Sequence, residues 1–191
     1  MQPFAWNDFY TSTKNRPPWP RLVRAVELLK CGGEALDLGC GAGRDTRYLL
    51  ASGFRVTAVD QESVSLELLA DLPPDRLHRV QSPFEDFQFG YYDLINAHFA
   101  LPFIGREQFP LVFARLKDAL KPGAIFVGQF FGRNDSWNTP ETHMTFFTRQ
   151  QALVYLDGLE LLEFEEEDQD GPTAVGKPKH WHVYHIIARK A

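Results

Sequence analysis

A short apolar strand, Ala35-Leu36-Asp37-Leu38, runs straight into Gly39-Cys40-Gly41-Ala42-Gly43, and a helix-forming stretch from Arg44 to Ser52 follows at once. Glycine permits a tight turn and lets a ligand approach the backbone closely. The helix behind the turn opens with unpaired N–H groups and the positive end of its dipole. Such a turn suits a ligand with a carboxylate, phosphate or hydroxyl edge. The next run, Phe54 to Val59, is rich in β-branched residues and ends in Asp60, 21 residues after Gly39. In a nucleotide-binding fold an acid at that place accepts hydrogen bonds from ribose hydroxyls.

The rest of the chain repeats the same alternation. Leu22, Val23, Val26 and Leu29 recur at helical spacing, with Gly32-Gly33 as the expected stop. Ser63 to Ala70 reads as a helix closed by Pro73-Pro74, and Leu77 to Gln81 and Tyr92 to Ala97 read as strands. Arg106 to Leu120 carries the helical period, Lys121-Pro122-Gly123 breaks it, and Ala124 to Phe131 is a buried strand. Alternating strands and helices require crossover connections and hence a parallel sheet. The last third differs. Gly132 to Thr145 is polar and irregular, and Thr148 is placed to cap a helix from Arg149 to Leu156. Leu159–Glu167 and Trp181–Arg189 are extended runs without a helix between them, so they pair antiparallel. Residues 1–20 mix aromatics with Pro17, Pro18 and Pro20. The prolines argue for an irregular segment that lies against the fold, so we divide the chain into a lid segment, 1–20, and a ligand-binding domain, 21–191.

Composition narrows the class. The chain has 191 residues, 44% of them hydrophobic, enough for one packed domain. No apolar run approaches the roughly 20 residues of a membrane span, and the start, Met1 to Tyr10, does not read as a signal peptide. The formal net charge of −5 argues against a general nucleic-acid binder. Two cysteines, Cys31 and Cys40, cannot build a disulfide framework or a four-cysteine zinc site. A cytoplasmic, reduced protein fits. Sixteen Phe and four Trp imply a thick core and an aromatic-lined pocket.

The glycine spacing separates possible ligands. A dinucleotide fingerprint is G-x-G-x-x-G, whereas Arg44 stands where its third glycine belongs. Asp37, just ahead of the turn, would repel a pyrophosphate and attract an ammonium group. A ligand with an amino-acid end and a ribose end satisfies both acids, and S-adenosylmethionine is one. The stretch Ala35 to Gly43 resembles motif I of the class I S-adenosylmethionine-dependent methyltransferases. Asp60 resembles their acid after the second strand, and Leu120-Lys121-Pro122-Gly123-Ala124 resembles the turn before their fifth. A short chain without a large added domain is similar to the small-molecule enzymes of the tellurite-resistance and thiopurine type. The resemblance implies a Rossmann-like three-layer α/β sandwich, its mostly parallel seven-stranded sheet ending in an antiparallel hairpin. It implies methyl transfer to a small-molecule acceptor, with S-adenosylhomocysteine as product. Carried over by position, Asp37 would hold the methionine ammonium, and Gly39, Cys40, Gly41 and Gly43 would line the methionine part. Asp60 would take the ribose with Gln61 beside the adenine. Where the family has an acid after the third strand this chain has Pro83, so either Glu85 or Asp86 would substitute, or Phe84 packing and a backbone donor would hold adenine. Ala97 and His98 would approach the amine or the sulfonium.

Other features have plainer readings. His98 and His143 are the candidate bases. Arg16, Trp19, Arg133 and Trp137, with His143, are candidates for the acceptor pocket. His180, His182 and His185 do not share one strand face, so no metal site is expected. The acidic run Glu163 to Asp168 reads as a solvated edge strand. Two competing functions stay open: a non-catalytic binder of the same ligand, and a nicotinamide-dependent reductase, which lacks its glycine spacing and a Tyr-x-x-x-Lys pair here.

Overall fold

A computed structural model describes residues 6–30 and 32–191. The elements run α1 (Trp6–Thr13), α2 (Pro20–Leu29), β1 (Glu34–Leu38), α3 (Arg44–Ala51), β2 (Arg55–Asp60), α4 (Ser63–Glu67), β3 (Leu77–Gln81) and β4 (Tyr92–Ala97). A 3-10 turn, Leu101–Phe103, leads to α5 (Phe109–Ala119), β5 (Leu120–Gly132), β6 (Phe146–Phe147), α6 (Arg149–Tyr155), β7 (Leu159–Pro172) and β8 (Pro178–Lys190). The strand order is β3-β2-β1-β4-β5-β8-β7, and the two-residue β6 adds to β5 as an eighth strand. Strands β1 to β5 pair parallel, while β8 runs antiparallel to both β5 and β7.

Period-two alternation builds the three layers. Leu36, Leu38, Ile95, Ala97 and Phe126 pack with α5 and α6 on one face. Ala35, Val56, Ala58, Leu94, Ile125 and Val127 pack with α2 and α3 on the other. The chain order reverses between β1 and β4, so their carboxyl ends frame a crevice where open α/β sheets bind ligands.

Several boundaries differ from the sequence reading. Residues 6–13 are helical, because the prolines that exclude a helix begin only at Pro17. Pro20 is inside α2, in its first turn, where a missing N–H costs nothing. That helix stops at Lys30, which takes φ 60° and bonds back to Val26 O, rather than at Gly32-Gly33. Those two glycines instead allow close packing: a Cβ on Gly33 would stand 2.3 Å from Asp93 Oδ2. Helix α5 starts at Phe109 and leaves Arg106 outside, since Pro110 fits only a first turn. Helix α4 ends at Glu67, before Ala70, as successive i→i+3 turns take over. Lys121-Pro122-Gly123 is a register shift within β5 rather than a break before it. The hairpin strands are longer than expected because pairing continues out to Pro172 opposite Pro178. Thr148 caps α6 through a capping box with Gln151. Cys31, and Met1 to Ala5 of the lid segment, lie outside the described residues. Among the described residues no helix is long and apolar enough to cross a membrane.

Candidate functional site

The turn after β1 is held open by backbone pairing on one side and by glycine conformation on the other. The Gly39 and Cys40 amides donate to Val59 O at 2.8 and 3.0 Å. Gly39, Gly41 and Gly43 have φ of 77°, 51° and 80°, the left-handed region that glycine adopts freely. The turn amide of Gly41 donates to Asp60 Oδ2 at 2.9 Å, and the Glu62 amide donates to Oδ1 at 3.0 Å. Asp60, at the end of β2, is thereby locked beside the glycine turn. A carboxylate has about four acceptor positions, so two remain for further donors.

Asp37 lies deeper, 1% exposed. It accepts from Thr46 Oγ1 at 2.5 Å and from Asn96 Nδ2 at 2.8 Å. Asn96 Nδ2 also lies 3.3 Å from Asp45 Oδ2, so one amide bridges two buried carboxylates. Burial first, and then the neighbouring Asp45, push the Asp37 carboxyl up to about 7. Asp45 is raised too, by burial, against the pull of Arg44. Two acids so close in low dielectric resist ionising together and present a strong demand for a cation.

The segment ahead of α2 closes over these groups. The Trp19 amide donates to Asp45 Oδ1 at 3.2 Å. The Trp19 ring lies 4.1 Å from the Arg44 guanidinium and stacks on His98 with centroids 5.6 Å apart. His98 Nδ1 bonds to Asn96 Oδ1, which as an acceptor requires the proton on Nδ1. Burial, then Arg44, push the His98 imidazole well below its ordinary value. Phe99, at φ 52°, is strained for a non-glycine residue; its amide donates to Gln129 Oε1 at 2.8 Å and its ring packs on Trp19. In α1, Phe9 and Tyr10 lie over the turn, with Tyr10 Cε1 3.6 Å from where a Gly41 Cβ would stand. Burial, followed by the charge of Asp60, raises the pKa of the Tyr10 hydroxyl. Ser65 Oγ donates to Gly41 O at 2.6 Å and lies 3.4 Å from Cys40 Sγ.

The structure thus gathers Asp37, Gly39, Cys40, Gly41, Gly43, Asp60, Trp19 and His98 in one place, with Ala97 ending β4 beside them. Phe84 joins them, its Cζ 3.3 Å from a Cβ built on Gly39. Gln61 is exposed, with its carbonyl taken by Gln81, and the Glu85 carbonyl accepts from Arg115. His143 is exposed in the loop beside Gly105. Arg16 is exposed and ties α1 to the β7–β8 connection, donating to Ser12 O and Ala174 O at 2.9 Å each. Trp137 and Arg133 stand in the loop after β5. Thr46, Asp45, Asn96 and Tyr10 escaped the sequence reading, although Trp6, Phe9, Tyr10 and Thr13 recur at i, i+3, i+4 and i+7.

The terminal hairpin pairs its histidines with acids of β7. His180 bonds both Asp168 and Asp170 at 2.7 Å, His182 bonds Glu166 at 3.0 Å, and His185 bonds Glu167 at 2.9 Å. The acidic run is therefore a cross-strand partner set, not only a solvated edge. Among the described residues no group of three or more His, Cys, Asp or Glu is arranged to hold a metal.

Three comparisons bear on this geometry. The family model for Tellurite resistance protein TehB matches residues 5–170. A probable S-adenosyl-L-methionine-dependent methyltransferase TehB of Haemophilus influenzae is 25% identical over 70% of this chain and 48% of its own length. A probable fatty acid methyltransferase of Mycobacterium tuberculosis is 26% identical over 90% of this chain and 49% of its own. The chain spans about half the length of the curated relatives it matches. The crystal structure of TehB from H. influenzae superposes with a TM-score of 0.76 at 23% identity, covering 90% of this chain and 62% of that one. A 1,6-didemethyltoxoflavin-N1-methyltransferase of Burkholderia thailandensis, solved with bound 1,6-didemethyltoxoflavin and S-adenosylhomocysteine, gives 0.69 at 22% identity, covering 91% and 77%. At these identities the two structures establish the Rossmann-like fold.

Proposed function

The chain belongs to the tellurite-resistance TehB family of class I S-adenosylmethionine-dependent methyltransferases, and from that premise we propose that it moves a methyl group to a small-molecule acceptor by in-line displacement. The observation that carries this reading is the pair of carboxylates flanking one glycine turn: Asp37 buried beside Asp45, and Asp60 bonded to the Gly41 amide. The site fits the cofactor's two ends. A buried pair of acids that resist ionising together suits an ammonium, and Asp60 keeps free acceptor positions next to a place where the Tyr10 hydroxyl already lies in its field.

When bound, S-adenosylmethionine supplies a methyl carbon activated by an adjacent sulfonium. The chain's own work is holding, aligning and drying. Asp37 takes the ammonium, and the glycine turn admits the methionine part. Asp60 takes the ribose hydroxyls, and Phe84 packs toward the base. Trp19 and Phe99 wall the reacting end against water, and the segment 6–19 acts as the lid. His98 is a poor base: it is buried, its Nδ1 proton is committed to Asn96, and its pKa is depressed. An acceptor that arrives as an anion or a soft nucleophile needs no base.

Calorimetry tests the proposal. S-adenosylhomocysteine should bind, NAD should not, and Asp60→Asn should weaken binding about tenfold or more, the worth of a hydrogen bond to a charged group. Tighter binding of NAD, or indifference of the product to Asp60, would overturn it. Consumption of S-adenosylmethionine with a panel of small acceptors then separates an enzyme from a mere binder.

A further inference from the structure

We propose that a second cleft, between Arg106 and Arg133, holds the carboxylate of a small organic acid. The cleft has a volume of about 440 Å³, the size of a small-molecule site. Arg106, Arg133, Asn138 and Gln151 supply its polar lining, and Phe146 and Tyr155 its aromatic side.

The two guanidinia are exceptional in this chain. The other eleven arginines each reach a carboxylate or a backbone carbonyl. Arg106 and Arg133 reach only neutral amide oxygens, Asn138 Oδ1 and Gln151 Oε1, both at 3.4 Å. Neither has an acidic partner among the described residues, in a chain whose 25 acids outnumber its 20 bases. Both amide side chains are themselves held by other partners. Asn138 donates to Arg133 O at 2.9 Å, and Gln151 Oε1 accepts from the Thr148 amide at 2.9 Å. Two contacts of 3.4 Å are loose, whereas a carboxylate meets a guanidinium at about 2.7–2.9 Å in a charge-assisted bond. Two unneutralised guanidinia on one cleft, beside aromatic rings, match an anionic group carried on an apolar body.

The place fits the function proposed above. Arg106 follows the 3-10 turn that leaves β4, and Arg133 follows β5, so both stand at the carboxyl ends of the sheet. Phe103 of that turn packs on Trp6 at 5.5 Å and on Trp137 at 6.4 Å, next to Asn138. Trp6 in turn stacks on Tyr10, which covers Gly41. An aromatic wall therefore runs from the glycine turn to the cleft. That the bound acid is the methyl acceptor rests on the methyltransferase reading; that the cleft binds a carboxylate does not.

Titration of the full chain at low ionic strength tests it, with benzoate, its neutral isostere benzamide, and inorganic phosphate as probes. Benzoate should bind, and benzamide should bind at least about tenfold more weakly, the scale of one charge-assisted bond. Arg106→Gln and Arg133→Gln should each weaken benzoate about tenfold, while S-adenosylhomocysteine affinity stays within about twofold. No binding of benzoate, equal binding of benzamide, or full affinity in the double variant would overturn the proposal. Phosphate binding tighter than benzoate with the same arginine dependence would overturn the carboxylic-acid assignment. Benzoate binding in a chain that ignores S-adenosylhomocysteine would sink the methyltransferase reading and leave the cleft standing.

Discussion

On the function proposed above, Asp37 is a single side chain that trades stability for binding. Its oxygens are satisfied by Thr46 and Asn96, but burial beside Asp45 still holds its carboxyl near 7, above the ordinary 3.8. The folded state therefore binds more protons than the unfolded chain between about pH 4 and pH 7. Stability contributed by this group is present at low pH and declines as pH rises through that window. Asp37→Asn keeps the shape and removes the charge. The variant should melt at a higher temperature than the wild type at pH 8, with the gap closing by pH 4. It should also bind S-adenosylhomocysteine about 10–100-fold more weakly, the worth of a hydrogen bond to a charged group. Thermal melts at the two pH values and one titration check both halves. A variant no more stable than wild type at pH 8 would mean that the Asp37–Asp45 pair is not strained.

The loop between β5 and β6 is pinned to the start of β8 by one ion pair. Lys179 Nζ meets Asp135, and both side chains are essentially inaccessible. Asp135 also accepts from the Trp137 and His182 amides at 3.0 and 3.3 Å. The ammonium lies 4.0 Å from the Trp181 ring and 4.5 Å from Trp137. Burial pulls the lysine pKa down while Asp135 holds it up. Removing one partner leaves a buried charge alone, which costs about 3–5 kcal/mol. Asp135→Asn should lose about that much in urea denaturation, and adding Lys179→Met should recover part of it. None of this was legible in the polar string from Gly132 to Thr145, because its partner stands 44 residues away. What was legible depended on local period. The strands showed as short apolar or β-branched runs between turns, and α6 through Thr148 as its cap. Helix α1 showed the same signal in Trp6, Phe9 and Tyr10, but the nearby prolines masked it. In the site, the glycines, Asp37 and Asp60 announced themselves by spacing. Asn96 did not, because only the parallel register of β4 against β1 sets it beside Asp37.

At the scale of the whole molecule, the site is where elements distant in sequence meet. Sheet strands β1, β2 and β4 deliver Asp37, Asp60 and Asn96; α3 delivers Thr46 and Asp45; the segment ahead of α2 lays Trp19 across them. A ligand that bonds these groups at once ties together elements from residue 10 to residue 98, so its binding energy becomes folding energy. At a ligand concentration 100 times its dissociation constant the gain is about 2.7 kcal/mol. For a domain of this size that raises the melting temperature by roughly 5–10 °C, at about 2–4 °C per kcal/mol. S-adenosylhomocysteine should produce that rise in the intact chain. Asp60→Asn has one acceptor oxygen, which can keep the Gly41 amide bond but must give up the Glu62 one; it should lose most of the rise at the same ligand concentration, while its ligand-free melt falls by only the few degrees that one lost hydrogen bond costs. If instead the ligand-free variant collapses and the shift persists in what remains folded, Asp60 serves the turn rather than the ligand, and the nucleoside must find its hydroxyl acceptors elsewhere.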